Sequence, residues 1–215
     1  RFAGTGSDGS FTLASSVNLS TFNPGGRSCD DGGDAVAYNV VAFAAADQVQ
    51  LDRAPGEGCL VAGDEVLLAN LQGTASSQAN VGAFEFLQVL EVSGNLLRFR
   101  STKQHAYGAS EGSDEGVGLG RTEQRVVLQR VPQYEELTVP NGRVLSVDGW
   151  DGRRGGVLAL RVRSRLIVSG TIDLSGLGYQ GAPRTTEVNQ TGLAGEGNAG
   201  LGARSREPNG GGGGG

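Results

Sequence analysis

The residues best suited to chemistry in this sequence are carboxylates in glycine-rich stretches. Two acidic groups stand out, namely Asp30, Asp31 and Asp34 in CDDGGD, and Glu111, Asp114 and Glu115 in SEGSDEG. Several carboxylate oxygens on a flexible loop are the ligands that Ca²⁺ prefers. Neither string matches an EF-hand or a nonapeptide repeat, so solvated turns are the alternative to weak calcium sites. We expect no other cofactor.

Paired carboxylates could instead support glycoside cleavage. The candidates are the same six residues together with Glu135, Glu136, Asp148 and Asp151. No spacing in the sequence brings two of them to catalytic distance. The single histidine, His105, has no acidic neighbour in the sequence. The sequence therefore predicts a protein that is not an enzyme, with a carbohydrate-active β-helix enzyme as the alternative.

Cys29 and Cys59 are the only cysteines, and each lies in a polar, glycine-rich stretch. A disulfide between them would close a loop of about 30 residues and stabilise the fold by about 3–4 kcal/mol. Exposed thiols are a liability that an oxidising compartment removes. We therefore predict a disulfide and an extracytoplasmic location, with two free thiols as the alternative. Zinc is not supported, since only one histidine is present.

Trp150 and Tyr134 lie in stretches that read as loops, and their aromatic faces would suit sugars or partner proteins. They are the predicted, weakly supported binding residues. The alternative for Trp150 is that its ring caps the core of the second half of the chain.

Composition excludes two classes of partner. The net charge is −5 and no basic patch is present, which argues against nucleic acid. No apolar run approaches the ~18 residues that a membrane span needs. The chain starts with Arg1 and ends in unbroken glycine, Gly210–Gly215, which indicates part of a longer protein.

The apolar residues alternate with a period of two, which predicts an all-β fold. The strings EVLLANL, FEFLQVLEV and LLRFR read as strands, and the last two are joined by the tight turn SGN. Closely spaced strands follow Val126, one of them predicted at Val157–Val162, and short Gly and Asn turns separate them. Such strands need neighbours stacked beside them, as in a β-sandwich or in the coils of a β-helix.

Glycine accounts for 38 of the 215 residues and is concentrated after Ser175. We predict four segments along the chain: an N-terminal β domain at 1–107, an exposed acidic, glycine-rich loop at 108–125, a strand-rich second half at 126–175 and a glycine-rich segment at 176–215. The last segment could be a disordered linker or a polyproline-II-like array.

Two strings resemble a known surface module. GTGSDGSFTLASSVNLS (Gly4 to Ser20) is similar to its opening. The string RVPQYEELTVPNGRVLSVDGWDGRRGGVLALRVRSRLIVSGTIDLSGLGYQG (Arg130 to Gly181) is similar to its later part. The module resembles myxobacterial adventurous gliding motility surface proteins of the C type and related glycine-rich adhesins and tail-fibre proteins. The resemblance implies a large, non-catalytic bacterial surface protein with adhesive or mechanical work.

Together these observations predict a non-enzymatic structural or adhesive protein that is secreted or lies at the bacterial cell surface. Its expected partners are cell-envelope proteins or surface polysaccharide, and oligomers are allowed. A second alternative to the adhesive function is an envelope-complex subunit that binds its partner by β-strand addition.

Overall fold

The computed structural model describes residues 4–181 and 195–200. The predicted all-β class is confirmed, because every element is a strand. No helix with the length and apolarity needed to cross a bilayer occurs in the described part of the chain. The strands form two bodies, a closed antiparallel barrel and a stack of parallel strands. Most of the predicted glycine-rich segment lies outside the described residues.

The barrel contains six strands that the alternating sequence pattern specifies. They are β3 (Ala37–Ala45), β4 (Gln48–Leu51), β5 (Glu65–Gln72), β6 (Phe84–Ser93), β7 (Leu96–Phe99) and β8 (Arg125–Arg130). The strand order β3-β4-β7-β6-β5-β8 closes on itself through β3 and β8. The predicted hairpin is confirmed as β6 and β7, whose turn contains Gly94 at φ 59°, a conformation that glycine adopts readily. This body is therefore a closed barrel rather than a sandwich.

The parallel stack has three coils, each made of two short strands. The first coil is β1 (Ser10–Thr12) and β2 (Val17–Asn18), the second is β9 (Gln133–Val139) and β10 (Val144–Ser146), and the third is β11 (Arg161–Val168) and β12 (Thr171–Ile172). One sheet has the order β1-β9-β11 and the other β12-β10-β2. All pairs are parallel, so each coil lies directly on the next. The stack matches the predicted β-helix-like architecture.

The stack core consists of ladders of like residues, one from each coil. Phe11 lies beside Leu137, and Leu137 lies beside Leu166. In the facing sheet, Val17, Leu145 and Ile172 form the matching ladder. Leu137 and Leu145 in the second coil are fully buried, because a coil covers each of them on both sides.

The chain therefore departs from the predicted succession of segments. The first coil comes from the N-terminal domain predicted at 1–107, but it pairs with strands of the predicted second half. Strand β8, in that second half, closes the barrel. The whole barrel is thus an insertion between the first and second coils. Local sequence predicts neighbours that are close in the chain, whereas parallel coils join strands that are far apart in it.

The acidic, glycine-rich loop predicted at 108–125 is only partly exposed. Val117 belongs to the barrel core, and the side chain of Gln124 is fully buried. Asn70 on β5 donates to Gln124 Oε1 (3.1 Å) and to the carbonyl of Tyr107 (2.8 Å). The segment therefore covers one end of the barrel instead of projecting from it. Asn70, Gln124 and Val117, rather than the acidic residues, hold this segment in place.

The strand predicted at Val157–Val162 begins later than expected, at Arg161. Val157 and Ala159 instead pack against Leu67, Ala69 and Val131, which lie outside the barrel core. These residues form a small apolar interface between the barrel and the stack. Here Val157 and Ala159 are buried against the barrel instead of extending the strand.

A buried charge cluster joins the two bodies beside this interface. Arg130, at the end of β8, is 1% exposed and donates two hydrogen bonds to Asp8 (2.6 and 2.8 Å), just before β1. Its guanidinium also donates to Asp64 Oδ1 (3.4 Å) and to the carbonyl of Asp34 (3.0 Å). Burial works against the charge of Arg130, but the three carboxylates outweigh it and leave the pKa of Arg130 raised. We call Asp8, Asp34, Asp64 and Arg130 the Arg130 cluster.

The predicted disulfide between Cys29 and Cys59 is present and lies beside this cluster. Arg27 makes two hydrogen bonds to Asp64 (2.7 and 2.8 Å) and one to the carbonyl of Gly58 (3.0 Å). Cys59 is fully buried in the barrel core. The bridge therefore fastens the loop that precedes β3 to the barrel.

Candidate functional site

The first predicted calcium group is divided among separate hydrogen bonds. Asp31 Oδ2 accepts bonds from the hydroxyl of Tyr38 (2.8 Å) and from the amide of Gly56 (2.6 Å). Burial raises the pKa of Asp31, but these two bonds outweigh it and hold the pKa below its ordinary value. Asp30 is exposed beside it.

Asp34, the third member, is fully buried in the Arg130 cluster. Its Oδ2 accepts hydrogen bonds from the hydroxyl of Tyr134 (2.9 Å) and from the amide of Gly25 (3.2 Å). Burial raises the pKa of Asp34 above its ordinary value despite these bonds and the nearby Arg130. Both hydrogen bonds reach Oδ2, while the buried Oδ1 lies 3.9 Å from Nη1 of Arg130 without a hydrogen bond.

The second predicted calcium group is no better assembled. Asp114 forms an ion pair with Lys103 (2.5 Å) and accepts the amide hydrogen of Tyr107 (3.1 Å), while Glu111 and Glu115 are exposed. Among the described residues, no three His, Cys, Asp or Glu side chains are grouped to hold a metal ion. Calcium thus stays a sequence prediction without a grouped set of ligands.

Three buried tyrosines donate to carboxylates, and they predict how the protein responds to alkali. The hydroxyls of Tyr38, Tyr107 and Tyr134 lie 2.8–2.9 Å from Asp31, Glu85 and Asp34. Burial is the main cause that raises the pKa of Tyr38 and Tyr107 far above 10.0, and the hydrogen bonds and charges of these carboxylates raise it further. Burial and the charge and hydrogen bond of Asp34 do the same for Tyr134.

A raised pKa in the folded state means that these tyrosines stabilise the fold below pH ~10 and that this stability is lost at higher pH. In a Tyr179→Phe variant, which removes the one half-buried tyrosine, we expect tyrosinate absorbance to appear only with cooperative unfolding. The denatured chain, titrated as a control, should ionise its tyrosines near pH ~10. Tyrosine ionisation near pH 10 with the fold intact would contradict the assignment.

The two aromatic residues predicted to bind ligands are both buried, and only Trp150 borders a cavity. Tyr134 has no exposed surface and belongs to the stack core. Trp150 is 6% exposed and packs edge-on against Tyr179, with ring centroids 5.7 Å apart. Tyr134 therefore offers no face to a ligand, whereas Trp150 lines a cavity of about 180 Å³ with Leu71, Val157 and Tyr179. The alternation of side chains along β9 places Tyr134 on the inner face of that strand, whereas the sequence alone predicts a loop there.

Three of the candidate catalytic acids do line one cleft. Asp31, Asp148 and Asp151 lie around a space of about 360 Å³ with Arg53 and Arg154. Asp148 accepts a hydrogen bond from Asn18 (2.7 Å), and Asp151 accepts the amide hydrogens of Arg153 and Arg154 (both 2.8 Å). A glycosidase needs one carboxyl with a raised pKa as its acid, whereas the pKa of Asp31 is lowered. Asp31 therefore does not fit the role of the acid.

A larger groove of about 480 Å³ lies where the barrel meets the stack, and we call it the Phe86 groove. It is lined by Thr5, Ser7, Gly63, Asp64, Glu65, Phe86, Leu87, Gln88, Arg100, Ser101, Gln133 and Arg161. Phe86 points outward from β6, and 41% of it is exposed. The groove therefore combines an aromatic surface with hydroxyl, amide and charged groups.

Ion pairs and amide bonds fix one wall of the groove. Arg161 donates two hydrogen bonds to Glu65 (2.5 and 2.7 Å), and Gln133 donates a third (2.6 Å). The Arg161 guanidinium lies 4.7 Å from the centre of the Phe86 ring. The hydrogen bond to Glu65 raises the pKa of Arg161, so its charge is secure. The wall is rigid before any ligand arrives, which lowers the entropic cost of binding.

Sequence reasoning missed this groove, although β6 contains a signal for it. Leu87 and Val89 point into the barrel, so the outward residues should be polar, yet Phe84 and Phe86 are aromatic and 58% and 41% exposed. Aromatic residues on the solvent face of a strand often mark binding surfaces. The partners Gln133 and Arg161 come from the stack and could not be placed without the fold.

Comparison with known proteins gives structural likenesses alone. No family model matches the chain, and no curated protein matches it. Similar solved structures include the tailspike gp49 of Pseudomonas phage LKA1 (20% identity, TM-score 0.29, 54% of this chain and 21% of that one). The tailspike gp61 of Pseudomonas phage phi297 gives 19% identity, a TM-score of 0.28, and coverage of 64% and 20%.

A third structure, the Gp54 tailspike of Acinetobacter baumannii bacteriophage AP22, was determined in complex with A. baumannii capsular saccharide. It gives 14% identity, a TM-score of 0.30, and coverage of 76% of this chain and 27% of that one. The chain thus spans between 20% and 27% of these tailspikes.

Proposed function

We propose that this protein is a non-enzymatic, extracytoplasmic surface protein that attaches to polysaccharide through the Phe86 groove. The groove carries the proposal: it places a partly exposed aromatic ring beside a fixed Arg–Glu–Gln network. The apolar face of a sugar ring packs on an aromatic side chain, while its hydroxyls need hydrogen-bonding groups around the rim. Thr5, Ser7 and Gln88 are exposed at that rim.

The disulfide supports the extracytoplasmic part of the proposal, because such bridges persist in oxidising compartments. The sequence resemblance to gliding-motility surface proteins and glycine-rich adhesins supports the bacterial surface as the location; membership of that family stays a prediction. A polysaccharide is favoured over nucleic acid because the net charge is −5.

Replacing Phe86 with alanine should test the groove directly. We expect polysaccharide binding, measured by glycan array and then by isothermal titration, to weaken at least about tenfold, which corresponds to ~1.4 kcal/mol. Phe22→Ala is the matched control, because Phe22 is another exposed aromatic ring (48%) that does not line the groove. Equal effects of the two substitutions, with both variants folded, would rule out the groove as the site.

A hydrolase acting at the cleft lined by Asp31, Asp148 and Asp151 is the second candidate, favoured by these three acids. The assay is release of reducing ends from any polysaccharide that the protein binds. We expect no release from the native protein. Release that is abolished by Asp148→Asn or Asp151→Asn would establish the hydrolase and contradict the non-enzymatic proposal.

A further inference from the structure

Within residues 4–181 and 195–200, no strand lies on the third coil at its outer side. Leu166 and Val168 on β11 pair with Leu137 and Val139 on β9 and lie on the same inward face. Leu137 and Val139 are buried, but Leu166 is 49% exposed and Val168 is 44% exposed. The apolar interior of the stack therefore reaches the surface at β11.

The backbone of β11 is open on the same side. Among the described strands, β11 pairs with β9 alone, so the other edge of its eight residues has no strand beside it. Natural sheets protect such edges with proline, bulges, inward charges or a covering segment. At Leu166–Val168 the edge instead presents three successive exposed aliphatic residues. This combination is typical of a surface that accepts a further strand.

The opposite end of the stack is covered, so copies of the chain cannot simply continue one another. Residues 33–35 fold over the first coil, and the amides of Gly33 and Ala35 donate to the carbonyls of Ser20 (2.7 Å) and Leu19 (2.9 Å). A Cβ at Gly33 would overlap the backbone of Leu19 and Phe22, so only glycine allows this close approach. Ala35 enters the stack core. Head-to-tail stacking would have to displace this segment.

Charge identifies the occupant that fits the open edge. The second coil presents Glu135 and Glu136 outward, and the third presents Arg163 and Arg165, paired across the coils at 3.4 and 3.1 Å. The two arginine side chains are 59% and 63% exposed, so each can accept a second carboxylate from the open side. Two copies meeting edge to edge would bring these arginines together, which is destabilising. An acidic strand suits the edge better than a second copy.

We propose that the open edge of β11 binds a β-strand of a partner protein, with acidic residues facing outward and aliphatic residues facing inward. The strand would add a fourth layer to the stack. Its carboxylates would pair with Arg163 and Arg165, and its aliphatic side chains would cover Leu166 and Val168. This docking surface is separate from the Phe86 groove and does not depend on polysaccharide binding.

The probe for this proposal is a synthetic peptide of sequence PQYEELTVP, taken from residues 132–140. It contains the strand that already pairs with β11 from the other side. Titrated into the isotope-labelled protein, it should shift and protect backbone amides of residues 161–168. A peptide with both glutamates replaced by lysine is the control and should bind at least tenfold more weakly. Absence of shifts at millimolar peptide, or equal binding of the two peptides, would overturn the proposal.

A charge reversal on the protein completes the test. The double variant Arg163→Glu/Arg165→Glu should prefer the lysine peptide, whereas Arg121→Glu/Arg153→Glu, at two exposed arginines outside β11, should behave as the native protein. Sedimentation and amide protection of the protein alone test the other occupants, and protection of residues 161–168 in a monomer would show that another segment of the chain covers the edge and would overturn the proposal. A concentration-dependent dimer that protects residues 161–168 would show that a second copy covers the edge and would also overturn the proposal.

Discussion

Replacing Arg130 with methionine is expected to lower the free energy of unfolding by about 3–5 kcal/mol. The substitution removes the only buried cation of the Arg130 cluster and leaves Asp8, Asp34 and Asp64 facing one another. Breaking a buried pair from one side is costly because an unpaired charge stays in a poorly solvated place. The damage should extend to both bodies, since Asp8 belongs to the stack and Asp64 to the barrel.

Urea denaturation measures this effect, and Arg163→Met is the matched control. Arg163 makes a single 3.4 Å contact to Glu135 with 59% of its side chain exposed, so its loss should cost less than about 1 kcal/mol. Adding Asp8→Asn to Arg130→Met should recover part of the stability, because one uncompensated charge is gone. The explanation fails if the two methionine variants are equally stable.

The same variant has a predictable pH dependence. The pKa of Asp34 is already raised, so its ionisation costs stability as pH increases through that pKa. Without Arg130 this cost grows, so the gap in stability between variant and native protein should narrow as pH falls and Asp34 becomes protonated. Denaturation series at several pH values between about 4 and 8 follow this gap.

Removing the disulfide should have the second largest effect. The bridge joins residues separated by 30 positions, and closing such a loop stabilises by about 3–4 kcal/mol. We expect the double variant Cys29→Ala/Cys59→Ala to melt on the order of 10 °C lower than the native protein. Adding reductant to partly unfolded native protein should produce a similar shift.

Intact mass provides the control for this experiment. The native protein should be two hydrogens lighter than its fully reduced form, and reductant should leave the alanine variant unchanged. Cys59 is fully buried, so a small part of the loss reflects packing; Cys29→Ala alone, which keeps Cys59 in place, measures how much comes from the bridge. Free thiols in protein from its native source would remove the main support for an extracytoplasmic location.

The barrel strands could be predicted because alternation and tight turns are local signals. Strands β6 and β7 are joined by a short turn and pair directly, so the pattern gives both the strands and the contact. The stack could be predicted only as a type of architecture. Ser16 and Val144, in neighbouring coils, are 128 residues apart, and no local pattern shows that Ser10 should lie beside Glu136.

The candidate site was harder to predict from the sequence than the fold was. Acidic residues in glycine-rich stretches suggested ligands, but Asp34 accepts the hydroxyl of Tyr134, which lies 100 residues away in the sequence. The Phe86 groove draws residues from the lead-in, the barrel and the stack. The disulfide could be predicted by residue number, because two cysteines allow a single pairing, although free thiols remained the alternative until the structure showed the bridge.

The insertion of the barrel has a consequence for the order in which the chain folds. Joining the first and second coils directly would require closing a long, flexible loop, which is entropically costly. The barrel removes most of that cost, because its first and last strands are neighbours and the amide of Arg130 donates to the carbonyl of Val36 (2.9 Å). Once the barrel is formed, the chain segments that lead to the first and second coils lie side by side. The barrel should therefore act as the folding nucleus, and the parallel coils should assemble on it afterwards.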